Sequence, residues 1–320
     1  MPETADTFTV LIPALNEAYN IARLLDDISS QELDESPALA RIVIVSDGST
    51  DGTDEVVLAR AKDDPRIMLI SNPETLGQLQ SENIGLRHAD SEYLVMLDAD
   101  IQMESRRTLC NLLAGFTDPG VGLVSGEVAP AGEDRTLTAR VARAGLLLSK
   151  DIQSRVRDGN SIFASRGAII ALRKVLYSSI QIPVEKMGNQ MVSEDQFLYL
   201  SCIARGMRFV SRPEAVVLHR LPDSFSDYLR KGVRFVTSLS ETTAFFEDRD
   251  FSGEYHIPLS VKVGAYLDLL RREPLGALAW TAYRLFIGML LVARRWDRVG
   301  AIWEVKESAR VKKGGRVESD

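Results

Sequence analysis

Through its first 130 residues the chain alternates short apolar or β-branched runs with amphipathic stretches of helical period, and few folds tolerate that alternation. "FTVLIPA" (8–14), "RIVIVSD" (41–47), "RIMLIS" (66–71) and "EYLVMLDAD" (92–100) read as strands. "EAYNIARLLDDISSQ", "TDEVVLARAKD" and "QLQSENIGLRHA" read as the helices between them. Strand–helix steps of roughly 30 residues or less build a parallel sheet covered by helices. The expected class is α/β: a Rossmann-like, mostly parallel, doubly wound sheet. Beyond Ile101 the pattern loosens into a helix at 107–116, a strand at 121–130 and a long helical stretch at 136–157. "GNSIFASRGAIIAL" (159–172) reads as strand, turn and helix, "SEDQFLYLSCIARG" (193–206) as a helix, and "MRFVSRPEAVVLHRLP" (207–222) as two short strands. These runs divide the chain into a sheet-based domain over 1–222, with halves at about 1–103 and 104–222, and a helical C-terminal extension over 223–320.

Composition narrows the function classes. Hydrophobic residues make up 45% and charged residues 26%, as in ordinary globular proteins. The net charge is −7, yet the last 60 residues carry 12 Lys/Arg against 7 Asp/Glu. An acidic body with a basic end argues against nucleic acid as a partner and leaves the basic end suited to an anionic membrane. Cys110 and Cys202 both lie in apolar, helix-like stretches and read as buried thiols in a reducing compartment. "MPETADTFTVLIPALNEA" has no basic region leading into an apolar signal core, so a cytoplasmic enzyme is expected. Leu275–Ala293 is apolar except for Arg284 and is flanked by Arg271, Arg272, Arg294 and Arg295. A central Arg disfavours a membrane span, leaving a helix on the inner face of the plasma membrane or one packed on the domain.

Ligands of open α/β sheets bind at the C-terminal ends of the strands. There Asp47 ends the second strand, and Asp98 with Asp100 ends the fourth. Three acids at one sheet edge repel each other unless a cation or hydrogen-bond donors offset the charge. Mn²⁺ or Mg²⁺ is one solution, since hard cations take carboxylate oxygen and share their coordination with substrate phosphates. The plainer alternative is that both acids merely terminate a strand and cap the next helix.

The same edge carries "IPALNEAYNI", "SDGSTDGT" and "GQLQSENIGLRHA" and, with "LDAD" and "SEDQFL", forms an ordered set. That set, over about residues 8–235, resembles glycosyltransferase family 2, the inverting nucleotide-sugar glycosyltransferases of GT-A fold. The resemblance implies that Pro13, Ala14, Leu15, Asn16 and Glu17 line the nucleotide and that Asp47 accepts a hydrogen bond from the nucleobase, which favours a UDP-sugar. It also implies that Gly77, Gln78 and on to Asn83 line the diphosphate side, that Asp98 and Ala99 sit near the ribose, and that Asp100 and His219 bind the metal. Asp195, second acid of the "SEDQFL" pair beside Glu194, is implied to be the general base. Read without the family, Asp47 is a D-G turn residue, Asn16 and Glu17 are a helix start, and Asp195 is an acid in a first helical turn. The stretch 183–193 around Gly188 is expected to be an acceptor loop. Arg230, Lys231 and Arg234 fall where processive members carry Q-x-x-R-W, but "KGVRF" lacks its Gln and Trp, which speaks against polymer synthesis. His88 and His256 read as structural.

The resemblance implies a metal-dependent glycosyl transfer from a nucleotide-sugar to a lipid-linked or saccharide acceptor, in surface polysaccharide or glycolipid synthesis. A catalytically silent nucleotide-binding relative is the first alternative. A haloacid-dehalogenase-type phosphohydrolase is the second, disfavoured because its D-x-D sits on the first strand and is followed by Thr or Val where this chain has Gln102.

Overall fold

The structure is a computed structural model that describes residues 6–33, 37–132, 136–184, 193–222, 224–226, 228–229, 242–246 and 248–292. In chain order the first half comprises β1 (Thr7–Ala14), α1 (Ala18–Ser29), β2 (Ala38–Asp47), α2 (Thr53–Ala61), β3 (Ile67–Asn72), α3 (Gln78–Leu86) and β4 (Tyr93–Leu97). The second half comprises β5 (Ile101–Met103), α4 (Thr108–Leu113), β6 (Val121–Ala131), α5 (Leu137–Arg155), β7 (Ile169–Arg173), α6 (Lys174–Tyr177), α7 (Glu194–Ala204) and β8 (Arg208–Arg220). Two further helices, α8 (Leu259–Arg272) and α9 (Pro274–Val292), complete the described part.

The strands form one sheet in the order β3-β2-β1-β4-β7-β6-β8-β5. β1 pairs in parallel with β2 and β4, and β2 with β3. β1, β4 and the C-terminal half of β2 are buried on both faces, and their two-residue period feeds two cores. Val10, Ile12, Ile42, Ile44, Tyr93 and Val95 face one of them, which α1 closes with Ile21, Leu24, Leu25 and Ile28 at helical spacing. Leu11, Val43, Val45, Leu94 and Met96 face the other, closed by Leu86 of α3 and by Leu198 and Leu200 of α7.

Three elements differ from the sequence reading. The expected strand, turn and helix over 159–172 is instead two short 3₁₀ turns followed by β7, which runs antiparallel to both β4 and β6. Ile169–Leu172 is fully buried between those strands, and so short an apolar run has no period that separates strand from helix. The two short strands after Gly206 are one strand, β8, parallel to β6, with a register break where 212–215 bulge opposite Gly126. A Cβ at Gly126 would lie 2.3 Å from the Ala215 carbonyl oxygen, and Pro213 has no N–H to give the ladder. The fourth strand ends at Leu97, so Asp98 and Asp100 occupy a turn leading into β5, which pairs with β8.

The C-terminal helices pack on α5. Arg155 pairs with Asp268, Arg272 with Asp151 and Arg143 with Glu273, tying α5 to α8 and to the residue just after it. Ala144 and Leu148 of α5 bury Ala265, Leu269 and Ala277 beneath these pairs. Exposed ion pairs contribute roughly 0–1 kcal/mol each, so the apolar contact carries most of the attachment. Among the described residues no helix is long and apolar enough to cross a membrane.

Candidate active site

The loops that leave β1, β2 and β3 are bound to one another before any ligand arrives. Asn16 adopts a left-handed backbone (φ 55°), which Asn tolerates better than most residues. Its N–H donates to Ser49 Oγ (3.1 Å) and its side-chain oxygen accepts from the Thr50 N–H (2.8 Å). Asp51 accepts from the Ala18 N–H (3.1 Å) and the Thr53 N–H (3.1 Å), satisfying donors at the starts of α1 and α2. Gly48 (φ +72°) brings the second loop against the third: a Cβ there would stand 2.8 Å from the backbone of Glu74 and Thr75. Pro13, Ala14 and Leu15 are buried beneath this junction and Glu17 is half-buried at its rim, its side chain accepting from Asn20 Nδ2 (2.6 Å).

Asp47 ends β2 as expected, but its carboxylate faces inward. It is fully buried and accepts from Asn72 Nδ2 (2.9 Å), the Leu76 N–H (2.9 Å) and the Gly77 N–H (2.8 Å). Its carbonyl also accepts from Thr75 Oγ1 (3.1 Å). Three donors hold the acid against the 72–77 loop and so fix that wall from behind. Asn83 is likewise held by backbone groups. Its buried amide is committed at both ends to the Ile182 backbone, with Nδ2 donating to the carbonyl and Oδ1 accepting from the N–H, each at 2.8 Å. It fastens α3 to the 180–184 segment. Gly77 opens α3 at φ +98° with free space where a Cβ would stand, and Gln78 Nε2 donates to Glu82 Oε1 (3.0 Å).

The second half of the site gathers the remaining acids. Asp98 leaves β4 with its N–H donating to the Ala168 carbonyl (3.3 Å), and Ala99 is buried beside it. The β5–β8 register sets Ile101 opposite His219 and brings His219 Nε2 to 3.3 Å from Asp100 Oδ2. Asp195 opens α7, where its carboxylate accepts from Ser193 Oγ and the Gln196 N–H (2.7 Å). Burial raises its carboxyl above the usual carboxylate range, while those two donors, Arg166 and the Gly167 N–H pull the other way. Arg166, whose own proton affinity burial lowers, has Nη2 3.5 Å from Ser149 Oγ and 3.9 Å from Glu127 Oε1. Gly167 leaves room for Glu194, whose Oε1 would meet a Cβ there at 2.4 Å.

Asp98, Asp195 and His219 line one cavity of about 1590 Å³, together with Arg166, Gly167 and Glu194. The described residues of the β1–α3 group, Pro13 through Asn83, are not part of that lining. Arg166 and the α5, α8 and α9 walls of the cavity escaped the sequence reading; Ser193, expected to cap the helix at 193–206, stands at its N-cap but gives its hydroxyl to the Asp195 carboxylate. Arg166 had a signal, in that "SRG" stands immediately before the buried β7 run. Arg230, Lys231, Arg234 and residues 185–192 of the expected acceptor loop lie outside the described residues. His88 is structural, with Nδ1 2.8 Å from the Ile84 carbonyl.

A divalent cation fits the donor set. Asp100 and His219 offer carboxylate oxygen and imidazole nitrogen side by side, each about one-tenth exposed, donors that a divalent cation accepts. Among the described residues no cluster of three or more His, Cys, Asp or Glu forms a complete cage, so coordination would be finished by ligand oxygens and water.

The profile of glycosyl transferase family 2 matches residues 9–179. The chain belongs to glycosyl transferase family 2. Its fold is the GT-A fold. A mannosyltransferase from Pyrobaculum calidifontis, solved in complex with GDP-Man and Mn²⁺, superposes with a TM-score of 0.58 at 23% identity, over 92% of this chain and 81% of that one. A glucosyl-3-phosphoglycerate synthase from Mycobacterium tuberculosis, solved with Mn²⁺, UDP and phosphoglyceric acid, gives 0.52 at 18% identity, over 75% and 78%. Among curated sequences, a dolichyl-phosphate β-glucosyltransferase of Trichomonas vaginalis is 38% identical over 96 residues, 29% of this chain and 30% of that protein. An N-acetylglucosaminyltransferase of a Rhizobium species is 24% identical over 247 residues, 73% of this chain and 53% of that protein. The chain thus spans about half or less of the length of these two curated relatives.

Proposed function

We propose that this family 2 chain is a metal-dependent, inverting glycosyltransferase that moves a sugar from a nucleotide-sugar, a UDP-sugar by preference, to an acceptor hydroxyl. The observation that carries the reading is convergence: Asp98, Asp195 and His219 come from three distant parts of the sequence to one cavity, with Asp100 against His219. In the reaction the acceptor oxygen forms a bond to the anomeric carbon as the bond from that carbon to the diphosphate breaks, and the diphosphate leaves with the electron pair. Asp195 takes the hydroxyl proton. A base whose carboxyl sits above the usual range is better matched to that task near neutral pH, where general base catalysis contributes typically about 10²- to 10⁴-fold. Arg166 restrains the rise and keeps Asp195 ionisable. Asp98 borders the donor sugar and ribose, and the wall built on Asp47 and Gly77 holds the nucleotide. Asp100 and His219 would hold Mn²⁺ or Mg²⁺, which when bound supplies Lewis-acid stabilisation of the leaving diphosphate.

The neighbours solved with Mn²⁺ and nucleotides, and the dolichyl-phosphate glucosyltransferase among the relatives, are in keeping with this donor chemistry and with a lipid-linked or saccharide acceptor. We place the activity in surface polysaccharide or glycolipid synthesis at the inner face of the plasma membrane, with residues 1–222 as catalytic domain and 223–320 as a peripheral helical extension. The test is a panel of UDP- and GDP-sugars incubated with and without Mn²⁺ while nucleoside diphosphate release is followed. Release that needs the metal and disappears in Asp100→Ala supports the reading. Tight nucleotide binding with no turnover would instead make the chain a silent binding protein.

A further inference from the structure

The cavity does not end at the carboxylates. It continues away from Asp195 between α5, α8 and α9, and its volume of about 1590 Å³ exceeds the roughly 300–1,000 Å³ of an ordinary small-molecule site. Along α5 its wall runs from Ala142 through Gly145 and Ser149 to Ile152, one helical face about 15 Å long at 1.5 Å per residue. Ala142, Gly145 and Ser149 on that face leave the space open, Leu146 and Leu148 add apolar wall, and Ala144 with Leu148 makes the contact with α8 and α9. Opposite stand Val263 and Leu267 of α8 and Trp280 of α9.

This arm offers little to a sugar. Three of its hydroxyls are already spent on the protein: Tyr266 Oη on Thr281 Oγ1 (2.7 Å), Tyr283 Oη on the Tyr228 carbonyl (2.8 Å) and Ser149 Oγ on Gln153 Nε2 (3.0 Å). The remaining inward surface is mostly apolar, with Lys262 and Arg284 as its cations, and so favours the burial of apolar ligand surface. The arm also reaches the surface at an apolar place. Val263 (49% exposed) and Leu267 (45%) line the cavity and, with Leu259 (74%), form a stripe at i, i+4 and i+8 on the outside of α8. Nearby α9 exposes Leu275, Leu278, Leu285 and Met289, none of which lines the cavity.

We propose that this arm is a hydrocarbon channel and that the acceptor is a lipid whose chain lies along α5 while its head reaches Asp195. The assignment rests on the glycosyltransferase reading and narrows it from any hydroxyl acceptor to an amphiphile, entering sideways between α5 and α8. Its basis is continuity, since the same cavity that holds Asp98, Asp195 and His219 is apolar at its other end and opens beside an exposed apolar stripe.

Binding of the fluorescent fatty acid cis-parinaric acid to the full chain tests it. Three proteins are compared: the wild type, Val263→Glu/Leu267→Glu, and Leu285→Glu. The paired substitutions lie at half-exposed positions, so folding is preserved, as thermal unfolding would verify. Saturable binding by the wild type is expected, weakened about tenfold or more by the double substitution and by no more than about twofold in Leu285→Glu. Absent binding, equal affinity in the double variant, or equal loss in Leu285→Glu would overturn the channel. Nucleoside diphosphate release is measured on the wild type and Leu285→Glu, whose residue lies outside the cavity lining, and should be the same in both. If release fails in both while the probe still binds in the expected order, the transferase reading falls and the channel stands.

Discussion

Asp195 and Asp47 are both acids at the ends of elements, and their surroundings give them opposite tasks. Asp195 borders an open cavity and is destabilised in its charged form; Asp47 is enclosed by donors that hold it in place. A carboxyl raised above its ordinary 3.8 binds its proton more tightly folded than unfolded. Its contribution to stability is therefore greatest at acid pH and is lost as pH rises from about that value through the folded one. Asp195→Asn removes the penalty, so thermal unfolding should show the variant more stable than wild type at neutral pH and the gap closing towards acid pH. A lower neutral melting temperature in the variant would contradict the burial argument. Asp47→Ala should do the reverse, costing about 2–4 kcal/mol in urea unfolding by leaving the Leu76 and Gly77 N–H groups and Asn72 without their acceptor. The positions of Asp98 and Asp100 after the fourth strand and of Asp195 in the first turn of a helix were legible in the sequence, because ordered motifs marked those element ends. The inward turn of Asp47 and the grip of Asn83 on Ile182 were not, because each depends on backbone N–H and C=O groups of a loop distant in sequence.

The elements follow the same division. β1 to β4 and their helices were readable because each is a short apolar run bounded by turns, with an amphipathic segment between. β7 was not, since its neighbours are supplied by β4 and β6 and its four-residue apolar core has no period of its own. The single β8 was hidden by Pro213, which reads as a strand breaker until Gly126 opposite it makes room for the bulge. Gly48 shows how tightly the donor-side loops are fitted. Gly48→Ala combines a left-handed backbone with a 2.8 Å contact to the backbone of Glu74 and Thr75, so a loss of about 2 kcal/mol or more is expected in urea unfolding. The same variant should raise the donor KM while leaving acceptor KM in place. An unchanged donor KM would show that the 72–77 wall does not border the nucleotide.

At the scale of the whole molecule, one sheet edge and one helical layer share a cavity. The sheet supplies rigid carboxylates, and α5 carries the C-terminal helices against it through Ala144, Leu148 and three ion pairs. Sequence showed that the C-terminal segment was helical, apolar and basic; it could not show that α8 and α9 wall the site, because that contact is long-range. Asp195 is held to perform the chemistry in a site that binds the donor without it. The most direct test measures sugar transfer from a labelled nucleotide-sugar by wild type and Asp195→Asn, with donor affinity measured by calorimetry on both. The prediction is a fall in rate of about 10²- to 10⁴-fold with donor affinity essentially unchanged. Equal rates, or a loss explained wholly by weaker donor binding, would contradict it.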